Sequence, residues 1–134
     1  MRPVLPQSKV SNMKMEIVES VNMNIGFGIG SEAIFNRHDT KRIKENIYFD
    51  FSNSDIWIDS NILNTGFKVK KGSIVRLQAD LSYKQLKFYV KLTAEKKEHF
   101  KLAIDLPRNL VETDLFFFIS LQNREDQVRL KFFE

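Results

Sequence analysis

The side chains able to do chemistry are few in this 134-residue chain, and their spacing argues against catalysis. There is no cysteine, which excludes disulfides, thiolate nucleophiles and zinc sites built on sulfur. The 2 histidines, His38 and His99, lie far apart, with no nucleophile-elbow motif or matched acid near either. A Ser-His-Asp arrangement is assembled in space rather than in sequence, but the solvated-loop reading suits both histidines better. Asp39, Asp50, Asp55, Asp59 and Asp80 show neither calcium-loop spacing nor a paired-acid motif. Most flank turns, where a carboxylate accepts from backbone N–H groups. Gly26, Gly28 and Gly30 recur at every second position, the wrong spacing for a dinucleotide loop, and no Gly-Lys-Ser/Thr follows. The expectation is a non-enzyme with no cofactor and no metal.

What remains is recognition chemistry. Arg37, His38, Asp39, Lys41, Arg42, Lys44 and Glu45 crowd the segment 31–46, which lacks strand alternation and reads as a surface loop. Loops on rigid β-scaffolds carry recognition disproportionately, although a basic loop is also often merely solvated. Trp57 falls on the face opposite Ile56 and Ile58, so it is either the core of a second layer or an exposed interface anchor. Asn53 and Asp55 belong to the adjoining turn, and Asn61 to the segment 59–66, read as a turn-rich loop. The expected partner-binding set is therefore Arg37, His38, Lys41, Arg42, Asn53, Asp55, Trp57 and Asn61. The net charge of +4 is modest, with acids and bases mixed along the chain, a pattern that gives solubility rather than a nucleic-acid footprint. No apolar run reaches the length of a membrane helix, and MRPVLPQSKVSN has no continuous signal-like core. An intracellular, cytoplasmic or nuclear domain is expected, bound to a protein or peptide and not to a membrane or a specific nucleic acid.

These residues must be positioned by strands. GSIVRLQADLSYKQLKFYVKL, from Gly72 to Leu92, shows the clearest period of two. Val75, Leu77, Ala79 and Leu81 share one face of the first strand, and Leu86, Phe88, Val90 and Leu92 one face of the second. Ser82, Tyr83 and Lys84 fill the turn, although none is the Gly or Asn that marks a tight hairpin. Met13, Met15 and Ile17 alternate in an earlier strand. Ile25, Phe27 and Ile29 put all side-chain mass of the next one on a single face, leaving bare backbone for a bulky neighbour to approach. Ile47, Phe49 and Phe51 share a face, and Phe100, Leu102 and Ile104 alternate before Pro107. LFFFISL, residues 115–121, is apolar on both faces and predicts a central strand. Val128, Leu130 and Phe132 are predicted to point inward. The pattern gives nine or ten strands in one domain, 13–134, after an extended lead-in over 1–12.

From Met13 onward this order of features resembles a SPRY domain. KMEIVE looks like that family's early strand, and NIGFGIG is similar to its next, where apolar residues and glycine alternate. YFDFSNSDIWIDSN resembles its aromatic region and hairpin, and KKGSIVRLQADLSYKQLKFYV is the best match. FKLAIDLP and LFFFISLQNREDQVRLKFF are similar to the last strands. The chain departs from the pattern in lacking a Trp in the first strand, in having Phe49 where a glycine is usual, and in the longer connection KLTAEKKEHF. The resemblance implies an all-β fold, an antiparallel two-sheet β-sandwich of concanavalin-like jelly-roll type. It also implies a protein-interaction module, such as the target-recognition part of a ubiquitin ligase, with recognition in the loops and the regular hairpin as scaffold. Abundant Phe and the single Trp also suit an alternative, a sandwich or barrel binding glycans or lipids.

Overall fold

The computed structural model describes residues 4–32, 46–59, 61–66 and 68–134. Within them the chain forms β1 (Val10–Glu19), β2 (Ile25–Gly30), β3 (Asn46–Asp50), β4 (Asp55–Ile58), β5 (Asn61–Asn64), β6 (Ile74–Asp80), β7 (Gln85–Lys91), β8 (His99–Asp105), the single-turn helix α1 (Arg108–Val111), β9 (Phe116–Leu121) and β10 (Gln127–Phe133). They make two five-stranded antiparallel sheets, ordered β10-β1-β6-β7-β8 and β5-β4-β3-β2-β9. Among the described residues no helix is long and apolar enough to cross a membrane.

In the first sheet the alternation of β6 and β7 becomes one buried face, with Val75, Leu77, Ala79, Leu86, Phe88 and Val90 at 2% exposure or less. Register sets Leu77 opposite Phe88 and Met13, so the apolar positions of neighbouring strands fall into rows. The hairpin turn, for which the sequence showed no Gly or Asn, is organised by Asp80. Its carboxylate accepts from the Ser82 hydroxyl at 2.7 Å and the Tyr83 N–H at 3.2 Å. Lys84 then takes a left-handed φ of 56° to close the turn. On the opposite face Arg76 donates to both carboxylate oxygens of Glu98 at 2.6–3.2 Å and to Asn12, and lies 3.9 Å over the Tyr89 ring.

Two expectations fail in this sheet. A bulge between Phe88 and Tyr89 shifts the pairing of β8, so Phe100 is opposite Tyr89 and in edge-to-face contact with it at 5.6 Å instead of continuing the Leu102 and Ile104 row. Val128, Leu130 and Phe132 do share the face of Ile17, Met15 and Met13 by register. They are nonetheless not interior: Leu130 is 41% and Phe132 59% exposed, because β10 is the sheet's edge and has a neighbour on one side only.

In the second sheet β3 is buried on both faces. One face carries Phe27, which meets Phe49 edge to face at 5.5 Å and Phe51 at 5.2 Å. Burying an aromatic or branched side chain of this kind contributes about 1.5–3 kcal/mol, so this cluster is a main source of the sheet's stability. The segment 115–121 does form a strand, but β9 is the edge of the sheet, not its centre. Phe116 and Phe118 are buried and Phe117 and Ile119 half-buried. An apolar run reports that both faces are covered, which an edge strand permits as well as a central one. The segment 59–66 is also not wholly a loop, since Asn61–Asn64 pairs with β4 as an exposed edge strand.

Candidate interaction surface

The second face of the β5-β4-β3-β2-β9 sheet is organised by the bare side of β2. A methyl group at Gly26 would run into the Tyr48 ring, and one at Gly28 into the Ile47 carbonyl, with Phe118 at 3.1 Å. The missing side chains let Tyr48 and Phe118 meet from strands on either side of β2, their rings 5.7 Å apart and inclined by 36°. Register extends the row. Phe118 is opposite Gly28, Gly28 opposite Tyr48, Tyr48 opposite Trp57, and Trp57 opposite Ile62. Exposure rises along it, from Tyr48 at 3% and Phe118 at 6%, through a half-buried Trp57 packed against this pair, to Ile62 at 54% on the edge strand.

Trp57 thus combines the two readings open in the sequence: its ring is the margin of a second apolar layer, and the layer ends in exposed Ile62. Its indole Nε1 is buried without a hydrogen-bond partner among the described residues. An unpaired buried donor costs about 1–3 kcal/mol.

The turn between β3 and β4 is held by Asp50, whose carboxylate accepts from the Ser52 N–H at 3.1 Å, the Ser52 hydroxyl at 2.7 Å and the Asn53 amide at 3.4 Å. Asn53 is exposed, but its amide is engaged in building this turn. Ser54 has φ 58°, and its carbonyl accepts from the Thr65 N–H and hydroxyl at 3.1 and 2.7 Å, which ties the turn to the end of β5. Asp55 is half-buried in β4, opposite Asn64. Asn61 is exposed opposite Ile58, and so lies on the other face from Trp57. The structure therefore brings Asp55, Trp57, Ile62 and Asn64 to one face, while Asn53 sits at the turn and Asn61 behind. Arg37, His38, Lys41 and Arg42 lie outside the described residues. Ile62 and Asn64 were missed because NILN was read as loop; its only strand signal was the apolar pair inside a polar frame. Among the described residues no group of three or more His, Asp or Glu could hold a metal ion.

The described residues form ten strands in two antiparallel five-stranded sheets, which defines an all-β protein. No protein-family model matches the sequence, and no curated protein matches it. Solved structures do. A human SPRY domain is similar over 97% of this chain and 79% of its own, with a TM-score of 0.63 at 14% identity. The SPRY domain of human HERC1 is similar over 93% of this chain and 76% of its own, with a TM-score of 0.63 at 13% identity. An ancestral congerin covers 93% of both chains at 15% identity, but its TM-score of 0.41 is too low to bear on fold or ligand. The chain has the SPRY fold, an antiparallel two-sheet β-sandwich.

Proposed function

We propose that this chain is a non-catalytic protein-interaction module, with its recognition surface at the β4–β5 margin of the second sheet. The observation that carries the reading is the half-buried Trp57 ring directly opposite the 54% exposed Ile62 on a short edge strand. An aromatic anchor at the margin of an apolar row, rimmed by the polar Asp55 and Asn64, has the anatomy of an interface hot spot. The SPRY fold supports this reading, because SPRY domains resemble one another in serving as binding parts of larger proteins. The partner is a peptide or a protein surface that offers apolar side chains to Ile62 and the accessible part of the Trp57 ring. A cysteine-free chain with mixed surface charge suits a cytoplasmic or nuclear setting.

Affinity capture with the whole chain, read by quantitative mass spectrometry, tests the proposal. Ile62→Lys changes an exposed side chain and leaves the fold intact, while Trp57→Phe keeps an aromatic ring in the row but trims the anchor. Both variants are expected to lose most of the specifically captured protein. Undiminished capture by both refutes the placement, and a glycan-array signal abolished by the same variants favours a carbohydrate ligand instead.

A further inference from the structure

The edge strand β10 carries two features that face opposite ways. On the face it shares with β1, the neighbouring Met13, Met15 and Ile17 are at most 1% exposed, whereas Phe132 and Leu130, directly opposite Met13 and Met15, are 59% and 41% exposed. The apolar row of the sheet runs one strand further than its burial does. On the other face Lys131 sits directly opposite Lys14, and neither has a carboxylate partner among the described residues. Like charges opposed in this way are destabilising, so the pair is a standing electrostatic debit that a nearby anion would relieve. Arg129, one position pair along, shows the arrangement satisfied: it faces Glu16 and reaches its carboxylate at 3.2 Å.

We propose that β10 is a docking edge for an extended segment of another protein in which acidic and apolar residues alternate. A strand added beside β10 places successive side chains on opposite faces of the sheet. Its apolar residues then continue the Phe132 and Leu130 row, and its acids meet Lys131 and the Lys14 behind it. A second copy of this chain does not fit. A two-fold antiparallel pairing of β10 with itself that keeps the apolar residues on one face is centred on a residue. The registers that overlap five or more residues of β10 are centred on Arg129, Leu130 or Lys131, and they set Arg129 against Arg129, Arg129 against Lys131, or Lys131 against Lys131. The charges that exclude self-pairing are the ones that select an acidic strand.

The test uses the whole chain and a fluorescein-labelled nine-residue peptide of alternating Glu and Val, with an alternating Lys and Val peptide and a block-ordered Glu and Val peptide as controls. Saturable anisotropy for the alternating acidic peptide alone, weakening with salt, is expected, together with slowed amide hydrogen exchange in β10. Lys131→Glu is the decisive variant. It turns the opposed lysines into an ion pair with Lys14, so the unfolding midpoint holds or rises, while affinity for the acidic peptide falls about tenfold. Tyr83→Ser, at the 78% exposed turn between β6 and β7, leaves binding unchanged. The proposal is overturned if the acidic and basic peptides behave alike, if Lys131→Glu binds as well as the parent, or if no peptide binds and Lys131 serves only to keep a bare edge from aggregating. Concentration-dependent dimerisation in light scattering with β10 amides protected overturns it in favour of self-pairing.

Discussion

Replacing Gly26 and Gly28 with alanine gives two outcomes that separate side-chain crowding from backbone crowding. At Gly26 the added methyl collides with the outer part of the Tyr48 ring, and at Gly28 with the carbonyl oxygen of Ile47. Tyr48 is 3% exposed and packed on Phe118, so its ring cannot swing away freely. Overpacking of this kind costs about 1–3 kcal/mol. Gly26→Ala should therefore lose about 2 kcal/mol, a large part of the roughly 5–15 kcal/mol that holds a domain of this size together. The cost should vanish when the ring is trimmed. Tyr48→Ala alone opens a cavity and costs about 3–5 kcal/mol, but the methyl of Gly26→Ala then enters space left by the ring, giving a coupling of about 2 kcal/mol in the double-mutant cycle. Gly28→Ala meets backbone, which no side-chain deletion removes. It should cost more than Gly26→Ala and show little relief with Phe118→Ala, whose ring is only the secondary contact at 3.1 Å. Urea unfolding followed by Trp57 fluorescence measures the six variants and the parent. If Gly26→Ala costs under about 0.5 kcal/mol, or costs the same with and without the Tyr48 ring, the glycine-bridged aromatic row is wrong.

The Arg76 cluster predicts an asymmetry: Glu98→Gln removes one partly exposed ion pair and should cost no more than about 1 kcal/mol, less at high salt. Arg76→Ala also removes the guanidinium that lies over the Tyr89 ring and donates to Asn12, and should cost about 2–3 kcal/mol, as read from thermal unfolding. Lys84 sits at φ 56°, so Lys84→Gly relieves left-handed strain of about 1–2 kcal/mol against a loss of roughly 0.4–1 kcal/mol to unfolded-state entropy. A net rise in the urea midpoint is expected, and a fall would show that the Lys84 side chain has a contact that matters more.

How much of the fold could be read in advance depended on whether the signal was local. The β6–β7 hairpin is legible because Val75 to Ala79 and Leu86 to Val90 alternate over full strand lengths, and both strands are interior with one face covered. Pattern then equals burial. At the edges that identity breaks down. Leu130 and Phe132 alternate as well as Leu77 does, yet alternation records which face a residue takes and not whether that face is covered. LFFFISL records that both faces are covered and not that the strand has two neighbours. The turn at 81–84 lacks a Gly or Asn signal, but it is organised by Asp80, one of the carboxylates expected to accept from backbone N–H groups beside turns.

The interaction surface was less legible because it exists only across strands. Trp57 was visible as an odd aromatic on the face opposite Ile56 and Ile58, but what it packs on depends on the pairing of five separate segments. Phe118 and Tyr48 are brought together by the absence of a side chain at Gly28, 90 residues before Phe118 in the chain. The glycines did announce that something would lie over β2; they could not say which ring. Ile62 was hidden by its brevity, since a four-residue strand framed by asparagines carries too little alternation to be distinguished from a loop. The same holds for the opposed Lys14 and Lys131: each is an ordinary surface lysine on its own strand, and only the β1–β10 register makes them a repulsive pair. Residues whose role is set by one strand can be found from one segment of sequence. Those whose role is set by register require the ladder, and in this protein both candidate recognition edges are of the second kind.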